Sequence, residues 1–287
     1  MSILKFIFSK IGAIFKFVNE YFKSFVFLLI VILIIVNSGK SEIANLTEIS
    51  LKGAIIDESE ILSQIYEAKN DSFIKGVLLN IDSPGGSMAP SVQISDAIKD
   101  LASIKPVIAY ASGTMASGSY YSSIWANKIY ANRGSFIGSI GVIVQSPNVE
   151  ELAKKLGVST QTIKAGKYKE AGTFIRGWNE DEKNELQSLV NRSYEMFYTD
   201  VAMARNLDID KKDIWANARV FLAPDAKSVG LIDDVKSYFE VKSELELLSG
   251  VASPSWKQQP IMDKFISNLA KESTNLALKM LFVNEAR

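Results

Sequence analysis

No cysteine and no histidine occur among the 287 residues. The first absence excludes disulfides, a thiolate nucleophile and Cys-rich zinc or iron–sulfur sites. The second excludes a Ser-His-Asp triad, an H-E-x-x-H zinc site and any imidazole acid or base. Hydrolytic chemistry in this chain therefore falls to Ser, Thr, Lys, Tyr or carboxylates. An excess of either charge is also missing, since 32 Lys and Arg balance 32 Asp and Glu. Nucleic-acid binders normally carry a basic excess, so the composition argues against that class. Repeats and low-complexity tracts are absent as well. What is plentiful is apolar surface, at 47% of residues with a positive mean hydropathy. The length allows one large or two small domains and a sizeable core.

The charges are not evenly spread. Lys5, Lys10, Lys16 and Lys23 face only Glu20 in the first 23 residues. An unbroken apolar run, Phe25–Val36, follows at once. A basic head before an apolar stretch is a membrane-targeting layout. With flanking residues and a snorkelling Lys23, the run reads as an uncleaved signal anchor in preference to a cleaved signal peptide or a buried helix. Residues 3–22, basic and aromatic, are expected along the inner membrane surface. The lysine-rich side stays cytoplasmic, which places residues beyond 40 on the other side.

From there the pattern alternates. Strands are expected at Glu48–Ile56, Lys75–Ile81, Pro106–Ala111, Lys128–Ala131, Ile140–Gln145 and Val158–Lys164. Helices are expected at Glu58–Lys69, Val92–Leu101, Ala116–Trp125, Val149–Leu156 and Glu180–Arg205. The last is long and amphipathic, with Leu186, Leu189, Val190, Tyr194, Phe197 and Val201 on one face. Such alternation implies an α/β fold with a largely parallel sheet wrapped by helices. Three parts follow: residues 1–40 as amphipathic segment and anchor, 41–249 as the main domain, and 250–287 as a linker (Gly250–Pro260) and C-terminal amphipathic helix.

Three segments have the residue types for chemistry. In Asn80–Ser87 a buried strand ends in Pro84-Gly85-Gly86 before a helix. There the N–H of Gly86 suits an oxyanion, although an ordinary turn explains the same residues. In Ala111–Tyr121 a strand runs into small residues and then an aromatic helix. Ser117 falls at the helix N-terminus with Gly118 behind it as a second N–H donor. Ser112, Ser119, Ser122 and Ser123 read equally well as caps or helix-packing hydroxyls. The third segment, Lys164–Glu170, holds Lys164, Lys167 and Lys169. It reads as a solvated loop, but without histidine a serine nucleophile needs another base, and a neutral lysine amine can serve.

The segments LLNIDSPGGS (78–87), SGTMASGSYYSS (112–123), IGSIGV (137–142), AGKYKEAGTF (165–174) and ARVFLAPDAKSVGLIDD (218–234) occur in this order. Together they resemble the signal peptide peptidase A family of membrane-anchored serine peptidases over about 46–240. The resemblance implies a Clp protease/crotonase-like fold of repeated ββα units with an N-terminal transmembrane helix. It implies a Ser-Lys dyad with Ser117 as nucleophile and Lys169 as general base, Lys167 being the runner-up. It further implies Gly86 and Gly118 as the oxyanion hole and Ser139 as the hydroxyl that orients the lysine. No metal or cofactor is implied. Glu170 departs from the family pattern, as does the lack of a proline a few residues on. The implied substrates are released signal peptides and other hydrophobic peptides, cut at the extracytoplasmic face of a bacterial inner membrane. A chain with one copy of the unit implies a homo-oligomeric ring in which serine and lysine come from neighbouring subunits. A crotonase-type acyl-CoA enzyme, a non-catalytic membrane scaffold and a stomatin-associated membrane protease are the alternatives.

Overall fold

Gly76–Ser83 (β2) is apolar on both faces, with Val77, Leu78, Leu79 and Ile81 fully buried. A strand of that kind belongs in the middle of a sheet covered on both sides. The computed structural model, which describes residues 16–32 and 43–258, places it there. The chain divides into two units, one up to Ile43 and one from Ala44 onward. In the first, residues 16–32 form a helix (α1). Among the described residues no helix is long and apolar enough to cross a membrane. Part of the Phe25–Val36 run lies outside the described residues, as do residues 1–15 and the expected C-terminal helix.

In the second unit, β1 (Leu46–Lys52), β2, β3 (Val107–Ala116), β4 (Lys128–Ala131) and β7 (Asp234–Val235) lie side by side and all parallel. The first half of β3 pairs with β4. Its last residues turn to pair with β5 (Phe136–Gly138), which also takes β6 (Val220–Leu222) antiparallel. The fold is thus mixed α/β with a mainly parallel sheet, as the alternation implied.

The crossovers are α2 (Ser59–Asn70), α3 (Met88–Ala102) and α4 (Gly118–Ser123). Ile65, Ile94, Ile98, Leu101 and Tyr120 from these helices bury one face of the sheet, with Leu79, Ile81 and Ala109 beneath them. Phe197 and Val201 of α6 (Glu180–Arg205) join that core. On the other face Leu78, Ile108, Tyr110 and Tyr130 meet Val241 and Leu245 of α9 (Tyr238–Leu248). The remaining helices are α5 (Glu150–Lys155), α7 (Lys212–Trp215) and α8 (Ala223–Ser228).

Two expected strands are corrected. Ile140–Gln145 and Val158–Lys164 are irregular. Ser139 takes φ 51° and ends β5, so the apolar run beyond it leaves the sheet with Ile143 78% exposed. The residues Val158–Lys164 alternate like a strand but have no partner strand among the described residues. The helix expected from Ala116 is shorter, because β3 continues through Ala116 before α4 begins. The Gly250–Pro260 linker is, over its described part, tied to the sheet edge. Trp256 bridges to Leu46, and Lys257 N–H donates to the Leu46 carbonyl at 2.8 Å.

Candidate active site

β3 and α4 meet without a loop, and Ser117 alone makes the corner. Its φ of 53° and ψ of −126° lie in a region that L-residues with a Cβ rarely adopt. The corner is held from three sides. Ser117 N–H donates to the Gly138 carbonyl at 2.7 Å, and its own carbonyl accepts from Tyr121 N–H at 3.0 Å. The Ser119 hydroxyl accepts from Ala116 N–H at 2.9 Å and donates to the Ser83 carbonyl at 2.7 Å. Where the β2–β3 register shifts, Asp82 Oδ1 takes up Thr114 N–H at 2.9 Å. Ser117 Oγ has no hydrogen-bond partner among the described residues.

The neighbouring serines differ. Ser112 Oγ donates to the Ile81 carbonyl, Ser122 Oγ to Gly118 and Ser123 Oγ to Tyr120. Those hydroxyls, with Ser119, hold backbone together. Of the alternatives in this stretch, Ser117 is the one left free.

The turn after β2 lies directly against this corner. A Cβ on Gly85, which has φ 93°, would lie 2.6 Å from the Gly118 nitrogen and 2.8 Å from Ser117 Cβ. A Cβ on Gly86 would lie 2.1 Å from the Ile55 carbonyl oxygen. Ile55 clamps the turn, donating to Gly85 and accepting from Ser87 N–H at 2.7 Å. Gly118 is the first residue of α4, where an N–H has no acceptor within the helix. A Cβ there would stand 3.3 Å from the Gly86 nitrogen. The Gly86 and Gly118 nitrogens thus lie close together beside Ser117, and neither N–H has an acceptor among the described residues.

All three residues line one cavity of about 220 Å³. Its walls are mainly apolar: Met88, Val92, Tyr121, Val142, Ile143, Met196 and Phe197. A free hydroxyl, two N–H donors without acceptors and an apolar recess suit acyl transfer on an apolar ligand. The sequence reading did not anticipate the walls. Phe197 read as core, Ile143 as part of a strand, and Tyr121 as one of two aromatic residues without distinction.

Residues 99–252, more than half the chain, match peptidase family S49. This chain belongs to peptidase family S49. It is 37% identical over 198 residues to a protein of Methanocaldococcus jannaschii named as a protease, covering 69% of this chain and 64% of that one. It is 35% identical over 188 residues to the chloroplastic serine protease SPPA of Arabidopsis thaliana, covering 65% and 28%. A relative from Enterococcus faecium, named signal peptide peptidase SppA, is 32% identical over 207 residues, covering 66% and 59%. The chain thus spans less than two thirds of the length of these relatives.

The lysines of this S49 chain lie elsewhere. Lys169 is exposed in the connection between α5 and α6 and does not line the cavity. Its side chain has no partner among the described residues. Lys167 pairs with Asp181 at 2.8 Å, and that carboxylate raises its pKa, so it is held as a cation. Glu170 faces Lys164 and Arg176, at 2.5 and 3.1 Å. Those two cations bring its carboxyl down to about 2. Arg176 continues to the buried Glu182 at 2.7 Å, and Glu182 caps α6 together with Asn179. Ser139 is half-buried beside β5 with its N–H on the Arg219 carbonyl at 2.7 Å, and it does not line the cavity. One chain therefore joins Ser117, Gly86 and Gly118 at the cavity but leaves Lys169 and Ser139 off it.

Proposed function

We propose that this chain is a membrane-anchored serine endopeptidase whose Ser-Lys dyad cleaves released signal peptides and other hydrophobic peptides. The observation that carries the reading is the unpaired Ser117 hydroxyl beside two unoccupied N–H donors at an apolar cavity. In this reading the neutral Lys169 amine takes the proton from Ser117 Oγ as the oxygen attacks the scissile carbonyl. The N–H groups of Gly86 and Gly118 hold the tetrahedral oxyanion. The ammonium then gives its proton to the leaving amine. Water hydrolyses the acyl-serine, regenerating both groups. Ser139 is assigned the task of orienting the lysine.

The dyad is completed across subunits of a homo-oligomeric ring. Two features favour this. Lys169 is exposed and unpaired while Ser117 lines a cavity without it. The connection that carries the lysine exposes Leu156, Val158, Ile163 and Tyr168, apolar surface that a second copy would cover. A Clp protease/crotonase-like arrangement of the parallel sheet goes with this reading. The anchor is assigned to the apolar run after the basic head, with the catalytic domain on the extracytoplasmic side of a bacterial inner membrane.

A serine-reactive fluorophosphonate probe tests the reading on purified oligomer. Wild type should be labelled at Ser117 and should hydrolyse apolar peptides, and Ser117→Ala should do neither. Lys169→Ala should lose hydrolysis with its fold intact. Wild-type activity in either variant overturns the dyad. A folded wild type that is never labelled supports the scaffold instead.

A further inference from the structure

α6 supplies the far wall of the cavity through Ser193, Met196 and Phe197. The serine helix meets it through Tyr121. The Tyr121 ring is 6% exposed, lines the cavity and meets Phe197 edge-on, with centroids 5.0 Å apart and planes at 81°. Its hydroxyl donates to Asp200 Oδ2 on the same helix. Phe197 and Asp200 are three residues apart on α6 and so share a face. Among the described residues this is the one side-chain hydrogen bond between α4 and α6. Burial, and then the Asp200 bond, push the phenol well above its ordinary range, so it remains a donor in alkaline solution. Asp200 does not line the cavity; it stands behind the ring.

We infer that Tyr121 and Asp200 are positioning residues that hold the α6 wall at a set distance from the serine helix, and thereby decide which apolar side chain the cavity accepts. The inference rests on Ser117 being the nucleophile at this cavity. Neither residue takes part in bond making. Tyr121 Oη is committed to Asp200, and its N–H to the Ser117 carbonyl. Without the bond, α6 keeps its anchors at Val201 and Ala202 in the core but loses its tie beside the cavity. The cavity width then varies, and discrimination by side-chain size is the property that suffers.

The test uses the full chain and a peptide series that differs only at the residue before the scissile bond: Ala, Leu or Phe. Losing a hydrogen bond to a charged group should change the kcat/KM ratio between these peptides by about tenfold, mainly through KM. Asp200→Ala and Tyr121→Phe should each do this, and the double variant should do no more than either, since both remove one bond. Asp200→Asn, which keeps an acceptor, should recover part of the discrimination. Unchanged ratios, an equal fall for every peptide, or additive effects in the double variant overturn the inference. If Asp200→Ala does not fold, Tyr121→Phe alone carries the same comparison, with Asp200→Asn as the variant that keeps the bond. Probe labelling of wild type separates the two levels. An unlabelled Ser117 overturns the underlying reading, whereas a labelled Ser117 with unchanged ratios overturns only the positioning pair.

Discussion

At Ser117 the backbone and the hydroxyl have opposite requirements. The φ of 53° points Oγ out of the hydrogen-bond network around it, but a Cβ in that region costs on the order of 1–3 kcal/mol. Glycine adopts the same angles without that cost. Ser117→Gly is therefore expected to abolish hydrolysis while stabilising the fold by about 1 kcal/mol relative to Ser117→Ala. Urea unfolding of the two variants checks this, because both lack the hydroxyl and only one keeps the strained Cβ. Equal midpoints would mean that the corner stores no strain. Gly85→Ala should act in the reverse sense. Its Cβ would lie 2.6 Å from the Gly118 nitrogen, so the turn must move off the corner. We expect a loss of at least about 100-fold in kcat, the size of one oxyanion donor, and a variant with wild-type kcat would break the assignment of the Gly86 and Gly118 N–H groups. That Ser117, Gly86 and Gly118 share one cavity agrees with the sequence reading, in which the order of five segments singled them out while each alone read equally as a turn or cap residue. Tyr121 was not legible there, because its role depends on Asp200, 79 positions away.

Among the elements, the connection that carries Lys169 is held by charge. Its carboxylates Glu170 and Glu182 bracket Arg176, and both carboxyls are brought down to about 2 by hydrogen bonds from their cationic partners. An ordinary glutamate in an unfolded chain titrates near ~4.3. The lowered folded value means that this stabilisation is complete above the unfolded pKa and is lost as the pH falls toward about 2. Glu182→Gln keeps a capping-box residue on α6 but removes the charge. It should lower the urea midpoint at neutral pH and flatten the decline between pH ~4.5 and ~2. A decline as steep as wild type would show that the cluster is not its source. The same region shows why sequence patterning fails locally. Val158–Lys164 has the β-branched alternation of a strand, and Ile140–Gln145 has the apolarity of one. A strand also needs a neighbour with free N–H and C=O groups, and the described sheet offers none there. By contrast β2, β4 and α6 were legible nearly to the residue, since burial on both faces and 3.6-residue periodicity are properties of the segments themselves.

For the whole molecule, the decisive question is where one active site begins and another ends. Ser117, Gly86 and Gly118 line one cavity in one chain, and Lys169 lies off it in a connection that exposes Leu156, Val158, Ile163 and Tyr168. In the proposed ring, a head-to-tail interface would put the lysine surface of each copy against the serine surface of the next. This arrangement has a countable consequence. Ser117→Ala and Lys169→Ala oligomers should each be inactive. Co-assembled from equal amounts of unfolded chains, a site is intact wherever a copy that keeps its serine adjoins one that keeps its lysine, so about a quarter of sites should recover. A dyad contained in one chain predicts no recovery at any ratio, because every chain lacks one member. Peptide hydrolysis across a series of mixing ratios separates these cases. Recovery that peaks at equal ratios assigns the two residues to neighbouring subunits, and a flat zero assigns them to one. Dilution adds a second check in the same preparation. If the sites are shared, wild-type activity should fall with dissociation while each chain retains its folded circular dichroism spectrum, since the sheet, the Ser117 corner and the Gly85–Gly86 turn are all built within a single chain.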